Sequence, residues 1–227
     1  MPFLRKEFLG ETPVYVRHLT MEDMELIETL QQEVYEALPI RSVLQPLTTE
    51  EYEYILTKKG MMIGVFADDE LIGFRALVSP EVDEEHLGYD CGIPEEKFSR
   101  VLYQEISNVS PKYRGHNLQK KMAQWIMEEI DLNLYDYVCS TVQPLNIPSL
   151  KDKFSQNLIV KALKIKYVDK LRYVFFKDLT AQEPAHYKEQ VYILMSDTEG
   201  QQALLKDGYV GTSMHLDKDE WYVVYER

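Results

Sequence analysis

The stretch from Glu105 to Met122 contains a strand, a glycine-containing loop and the start of a helix, in that order. In such an arrangement the loop amides and the positive end of the helix dipole point to one place, which is where an anion binds. The stretch also concentrates basic side chains in an otherwise acidic chain, and together these features predict a diphosphate site. An ordinary helix start with a solvated basic face is the alternative. The basic residues are Lys112, Arg114, Lys120 and Lys121.

Composition excludes several classes of partner. The 227 residues include 38 Asp and Glu against 25 Lys and Arg, a net charge of −13, which repels nucleic acid and anionic membrane surfaces. No apolar run approaches the roughly 20 residues that span a bilayer, and charge appears at Arg5, before a signal-like apolar core could form. We therefore expect a cytoplasmic protein that binds neither nucleic acid nor membrane.

The two cysteines, Cys91 and Cys139, are too few for a disulfide framework or a closed zinc site. We expect both to be reduced thiols that fill the core. The spacing of His, Cys, Asp and Glu shows no metal-ligand pattern, so we expect no metal.

Hydrophobic periodicity and capping residues predict the elements that position these groups. The first part of the chain predicts a strand at 14–19, helices at 20–38 and from Thr48 or Thr49 to Gly60, and a β-hairpin of 61–67 with 71–78. After an irregular acidic segment at 80–100, a strand at 101–109, a helix at 114–132 and a strand at 135–142 form a βαβ-like unit. Further predicted elements are a helix from Asn146, strands at 158–167, 171–177 and 191–195, a helix at 198–206, and strands at 209–215 and 221–225.

The loop residues resemble a known signature. Val109-Ser-Pro111-Lys-Tyr113-Arg114-Gly115-His-Asn117-Leu118 is similar to the acetyl-CoA motif of the GCN5-related N-acetyltransferase (GNAT) superfamily, Arg/Gln-x-x-Gly-x-Gly/Ala within Val-x-Pro-x-Tyr-Arg-Gly-x-Gly-Leu. Two signature positions differ: Lys112 stands in place of Arg or Gln, and Asn117 in place of Gly or Ala.

The surrounding sequence strengthens the resemblance. Pro144-Leu-Asn146-Ile-Pro-Ser149 resembles the Pro-x-Asn-x-x-Ser segment of the superfamily, and Asn157-Leu158 stands where its members carry Gly-Phe. Tyr167, Leu171-Arg172-Tyr173 and Lys177-Asp-Leu179 resemble the ending found in a bacterial subgroup. The resemblance covers about residues 14–179.

The resemblance implies an α/β (α+β) GNAT fold, with a mixed, mostly antiparallel central sheet flanked by helices. It implies an acyl-CoA-binding domain at 1–180, followed by a small strand-helix-strand-strand extension at 181–227. The extension either completes the sheet, covers an edge strand or makes a dimer contact, so a homodimer is among the expected partners. The implied acetyl-CoA contacts are Asn108, Val109, Arg114, Gly115, His116, Asn117, Leu118, Gln119, Asn146 and Ser149.

The implied reaction is direct transfer of an acetyl group from acetyl-CoA, a co-substrate, to the amine of a small molecule or peptide. Glu105, on the strand before the loop, is the candidate base, and a surface or salt-bridged Glu is the alternative. The tyrosine that protonates the thiolate in the family is replaced by Lys153. Because Lys153, Asn117 and Asn157 all depart from the pattern, the alternative function is a degenerate GNAT module that binds CoA or a metabolite without turnover.

Overall fold

The computed structural model describes residues 3–41, 44–183 and 185–227. It divides into two compact units: Met1–Ser79 with Gln104–Ile130, and Pro80–Tyr103 with Asp131–Arg227. The domain boundary that the sequence predicts at residue 180 stays a prediction. No helix in the described ranges is long and apolar enough to cross a bilayer.

The elements follow one another in the order that the hydrophobic patterns predict, with a few additions. The strands are β1 (Arg5–Leu9), β2 (Thr12–His18), β3 (Gly60–Ala67), β4 (Glu70–Val78), β5 (Val101–Val109), β6 (Tyr137–Val142), β7 (Ile159–Lys166), β8 (Lys170–Asp178), β9 (Gln190–Leu194), β10 (Val210–Asp217) and β11 (Glu220–Glu226). The helices are α1 (Met24–Glu36), α2 (Thr49–Tyr54), α3 (Leu87–Cys91), α4 (Leu118–Glu128), α5 (Ile147–Ser155) and α6 (Thr198–Lys206).

In the first unit, β1 to β4 follow one another as antiparallel neighbours, and β5 lies beside β4. The predicted hairpin of β3 and β4 is confirmed, and Asp68 supplies the positive φ of its tight turn. Strand β1 was not predicted. Its sequence begins with the charged residues Arg5-Lys6-Glu7, so it lacks the apolar pattern of a strand. It pairs with β2, and Arg5 forms an ion pair with Glu128 of α4.

In the second unit, the first residues of β5 pair in parallel with β6, which confirms the predicted strand-helix-strand unit. Beyond β6 the order is β8, β7, β10, β11 and β9, and among the described residues these strands pair antiparallel. The extension therefore adds strands to the sheet, through a pairing of Gly211 with Val160. The buried side chain of Gln201 joins the extension to β8, because it accepts hydrogen bonds from Tyr173 and Tyr225.

The structure confirms the mixed, mostly antiparallel sheet flanked by helices, and it corrects three local predictions. The segment 80–100 is not irregular, since it contains α3 and a 3₁₀ helix at Glu95–Arg100. The helix predicted at 114–132 begins only at Leu118, because Gly115 and Asn117 have positive φ. Gly60 is extended and begins β3, while α2 passes into a π-helical turn at Ile55–Lys59. The sequence also predicts a linker at 182–187, and residue 184 of that segment lies outside the described residues.

Candidate active site

The loop between β5 and α4 is fixed firmly at its start. Ser110 is buried, its amide donates to the Ile72 carbonyl of β4 at 2.9 Å, and its hydroxyl donates to Glu33 of α1 at 3.1 Å. A 3₁₀ turn, Pro111–Tyr113, follows. The chain then becomes extended at Arg114 and reaches the surface, so residues 114–117 are exposed on a rigid base.

Two residues of the exposed loop adopt left-handed backbone conformations. Gly115 has φ of 86° and a Cβ added there would meet no atom within 4 Å. Asn117 has φ of 57°, a region that Asn tolerates better than most other residues with a side chain. The substitution of Asn for the family's Gly or Ala therefore keeps the backbone path of the loop.

The backbone amides of this segment have no acceptors among the residues that the structure describes. In the described part of the chain, none of the backbone N–H groups of residues 115–120 donates a hydrogen bond, and the first to do so is that of Lys121, to the Asn117 carbonyl at 3.0 Å. Asn117 occupies the N-cap position of α4, but its side chain does not cap the helix. The eleven-residue helix therefore presents a run of free donors at its positive end.

The four basic side chains of the loop differ in whether they have a partner among the described residues. Lys112 forms an ion pair with Glu70 at 3.1 Å, and this contact raises the pKa of the Lys112 ammonium. Lys121 donates a hydrogen bond to the Phe8 carbonyl at 3.2 Å. Among the described residues Arg114 and Lys120 form no ion pair, and both are exposed. These two cations are thus available to an anion at the loop.

Asn108 lies on β5 just before the loop and is 1% exposed. Neither atom of its side-chain amide has a hydrogen-bond partner within the described residues, whereas buried amides normally do. The start of α4 packs closely here, since a Cβ at Gly73 of β4 would lie 3.2 Å from Leu118 and 3.3 Å from the Asn108 carbonyl. Val109, the next residue, is half-buried.

Glu105 lies on the same strand with its side chain exposed, while its neighbour Gln104 is buried and accepts a hydrogen bond from Arg75 at 2.7 Å. This difference follows from the alternation of side chains along a strand. The carboxylate of Glu105 is therefore accessible from solvent, as a base must be.

In the second unit, Asn146 is the N-cap of α5, and its side chain accepts a hydrogen bond from the Ser149 amide at 3.4 Å. The structure thus brings these two predicted residues together. Lys153, in the position of the family's tyrosine, is buried and lies 3.4 Å from Asp152. Asn157, in the position of a family Gly, has φ of 59°, so Asn again provides the required conformation.

Two features of these units escape sequence reasoning. Ser110 and Glu33 are 77 residues apart, and nothing local indicates their hydrogen bond. Cys91 and Cys139 are both free and buried, as expected for core thiols, but their sulfur atoms lie 3.7 Å apart. The hydrogen bond with Cys91, together with burial, raises the pKa of the Cys139 thiol. Among the described residues no group of His, Cys, Asp and Glu has the arrangement of a metal site.

No protein-family model and no curated protein matches this chain. Solved structures do match it. An N-acetyltransferase from Staphylococcus aureus Mu50 is similar at 15% identity and a TM-score of 0.53, covering 74% of this chain and 99% of that one. The GNAT domain of S. lividans PAT is similar at 13% identity and a TM-score of 0.56, covering 78% of this chain and 96% of that one.

A putative acetyltransferase from Salmonella typhimurium, solved with its cofactor acetyl-CoA, is similar at 12% identity and a TM-score of 0.56, covering 76% of this chain and 96% of that one. Identities this low show a shared fold. The chain therefore has the fold of the GNAT acetyltransferases.

Proposed function

We propose that this protein transfers an acetyl group from acetyl-CoA to an amine. The observation that carries the proposal is the run of amides from Gly115 to Lys120 at the start of α4, which have no acceptor among the described residues. Backbone amides at a helix N-terminus bind phosphates, and the solved structures of the same fold include one with acetyl-CoA.

The loop fits the pyrophosphate of acetyl-CoA in shape and charge. The open space at Gly115 allows a phosphate to approach the backbone, and Arg114 and Lys120 add positive charge that no carboxylate within the described residues neutralises. The proposed contacts are those of Arg114, Gly115, His116, Asn117, Leu118 and Gln119, with the backbone of Asn108 and Val109 beside the pantetheine. Asn146 and Ser149 are added on the sequence resemblance alone.

When bound, acetyl-CoA supplies the acetyl group as a thioester. The exposed carboxylate of Glu105 takes a proton from the acceptor ammonium, and the neutral amine nitrogen then attacks the thioester carbonyl. The N–C bond forms and the C–S bond breaks. The nitrogen loses its second proton to solvent as the amide forms, and the thiolate takes a proton from solvent. Glu105 is thus proposed as the general base.

We propose a small-molecule or peptide amine as the acceptor and the cytoplasm as the site of action. The two buried free thiols support a reducing compartment. The acetyl-CoA domain is proposed at 1–180, with 181–227 as an extension, and a homodimer stays a prediction.

The test begins with calorimetric titration of the protein with CoA and with acetyl-CoA, followed by a thiol-release assay over a panel of amines. We expect both ligands to bind and an amine-dependent release of thiol. If neither CoA nor acetyl-CoA binds, the proposal is contradicted. Binding without release above background would instead indicate a module that does not turn over.

The role of Glu105 is tested with Glu105→Gln in the same assay over pH 6 to 9. The amide cannot accept a proton, so we expect kcat to fall by about 10²- to 10⁴-fold while CoA affinity is unchanged. Glu220→Gln, at an exposed position of β11, removes the same charge elsewhere and should keep wild-type turnover. A Glu105→Gln enzyme with wild-type kcat at every pH would show that Glu105 is not the base.

A further inference from the structure

Arg172 of β8 is a buried cation with an unusual set of partners. It is 8% exposed, and its Nη1 donates to the side-chain Oε1 of Gln143, just beyond β6, at 3.1 Å. Burial lowers the pKa of its guanidinium. Within residues 3–41, 44–183 and 185–227 no Asp or Glu forms an ion pair with Arg172, and none of the remaining residues is acidic.

Two cations of the neighbouring strand are paired with carboxylates. Lys164 of β7, directly opposite Arg172, pairs with Asp90, and Lys166 pairs with Asp90 at 3.2 Å and with Glu85 at 3.0 Å. The carboxylates that neutralise β7 are therefore already engaged. A buried charge without a counter-charge costs folding free energy, so Arg172 is the unmatched member of this group.

The guanidinium is not sealed inside the protein. None of its nitrogen atoms is both buried and without a partner, so the N–H groups that do not bond Gln143 reach the surface. Gln143 holds the guanidinium through Oε1, which leaves its own side-chain NH₂ as a further donor. Several donors thus converge where β6 ends.

The backbone around this point is held in uncommon conformations. Gln143 to Asn146 form a turn closed by a 3.2 Å hydrogen bond, with Pro144 second and Leu145 third, and Leu145 has φ of 67° where Gly is usual. In the β7–β8 turn, Tyr167 and Val168 also have positive φ, and Val168 is 88% exposed. Strain of this kind concentrates at functional sites.

The turns are also connected across the sheet, since the Tyr167 hydroxyl lies 3.4 Å from the Thr141 hydroxyl of β6. The strained β7–β8 turn therefore lies by the same strand end as Gln143. Leu145 and Val168 place apolar side chains on exposed turns of this unit.

We propose that Arg172 and Gln143 form a binding site for a carboxylate group at this end of the second unit. A guanidinium presents paired N–H donors whose geometry matches the two oxygens of a carboxylate, and the bound anion would supply the missing counter-charge. The exposed apolar residues suit a carboxylate attached to an apolar group. This proposal is independent of the proposed acetyl transfer, because its test measures binding of a carboxylate and not turnover.

The experiment measures the thermal unfolding midpoint, Tm, of the full chain against increasing propionate, with propionamide as the neutral isostere and chloride at equal ionic strength. At propionate concentrations about ten times Kd, we expect a rise in Tm of about 3 °C that propionamide and chloride do not produce. If inorganic phosphate stabilises the protein more than propionate does at equal concentration, and this stabilisation is lost when Arg172 is replaced, the assignment to a carboxylate is overturned.

Arg172→Met keeps the length and apolar character of the side chain and removes the charge. Because an unmatched buried cation is removed, we expect the Tm of the variant without ligand to equal or exceed that of the wild type, and the response to propionate to be lost. Lys188→Met, which removes an exposed cation of the same unit, should respond as the wild type does. An equal propionate response in Arg172→Met would refute the site.

Discussion

Helices α4 and α6 begin in opposite ways. At α6 the Asp197 carboxylate caps the helix by accepting a hydrogen bond from the Gly200 amide at 2.9 Å. At α4 the N-cap residue Asn117 has a left-handed backbone, its side chain caps nothing, and the amides before Lys121 have no acceptor in the described chain. A helix start that folding leaves uncapped is one that an external anion can complete.

Three of the other helix starts support this contrast, whereas α1 continues from a 3₁₀ turn at Met21–Asp23 and also has no side-chain cap. His86 caps α3 through the Gly88 amide, Asn146 caps α5 through the Ser149 amide, and Thr48 begins α2 with a reciprocal capping box. Each of these side chains accepts a hydrogen bond from a backbone amide of the first helical turn, and this hydrogen bond stabilises the fold. At α4 the same stabilisation is missing, and we attribute the difference to ligand binding.

The largest effect is expected from Gly115→Asp. It places a carboxylate beside the free amides and the proposed pyrophosphate, so CoA should bind at least about 100-fold more weakly. Gly92→Asp is the matched control, since Gly92 also has a positive φ and open space at its Cβ position. Calorimetry should show unchanged CoA affinity for the control. Equal losses in both variants would mean that the effect is not local to the α4 loop.

The cap of α3 gives a pH dependence that a cap of Asn or Asp would not. His86 is buried and its Nδ1 accepts from the Gly88 amide at 3.1 Å, and burial lowers its pKa. The unfolded chain then takes up the proton more readily, so stability falls as pH drops below the unfolded value of about 6.5, by up to about 1.4 kcal/mol per pH unit.

Chemical unfolding at pH 7 and pH 5 checks this expectation. His86→Asn keeps a capping oxygen without a titrating group, so its loss of stability between the two pH values should be smaller than that of the wild type. The same loss in both proteins would assign the pH dependence to other groups.

Removing the cap of α6 should cost about 1 kcal/mol. Asp197→Ala leaves the Gly200 amide without its acceptor, whereas Asp197→Asn retains an oxygen in the same place and should preserve most of the stability. Denaturant unfolding of the three proteins measures the difference. If Asp197→Ala and the wild type have equal free energies of unfolding, the missing cap does not destabilise α6. The uncapped start of α4 would then be no evidence for a ligand.

The smallest effect is expected from Asn117→Gly. Because the Asn117 side chain makes no capping bond and Gly adopts positive φ freely, stability should change by only a few tenths of a kcal/mol. CoA should bind somewhat more tightly, since a side chain next to the phosphates is removed. A large loss of CoA affinity would show that the Asn117 side chain itself bonds the ligand.

Sequence reasoning worked best for elements whose conformation depends on residues within the same segment. The β3–β4 hairpin, helix α6 and the strand-loop-helix order around Gly115 follow from hydrophobic period, caps and turn residues, and the structure has them within a few residues of the predicted bounds. The loop prediction came from residue types in one run of sequence. Its helix boundary was misplaced because the positive φ of Asn117 is not visible in the apolar spacing.

Sequence reasoning failed where an element depends on a distant partner. Strand β1 is charged and short, and it exists through pairing with β2 rather than through its own pattern. The short helix α3 depends on buried packing of Leu87 and Cys91 in a cluster that also contains Cys139 and Val174. Propensity within a segment carries no information about such contacts.

The sequence by itself determined the fold class and the net negative charge, and it predicted anion binding at the α4 loop, because these depend on local pattern and residue type. Only the tertiary structure decided which polar groups remain without partners. Among the described residues, the amides before Lys121 have no acceptor, the Asn108 side chain has no hydrogen bond, and Arg172 has no carboxylate partner. Each of these states is defined by the surrounding residues. A side chain's partners come from residues far along the chain, so its unpaired state becomes visible only after the chain has folded.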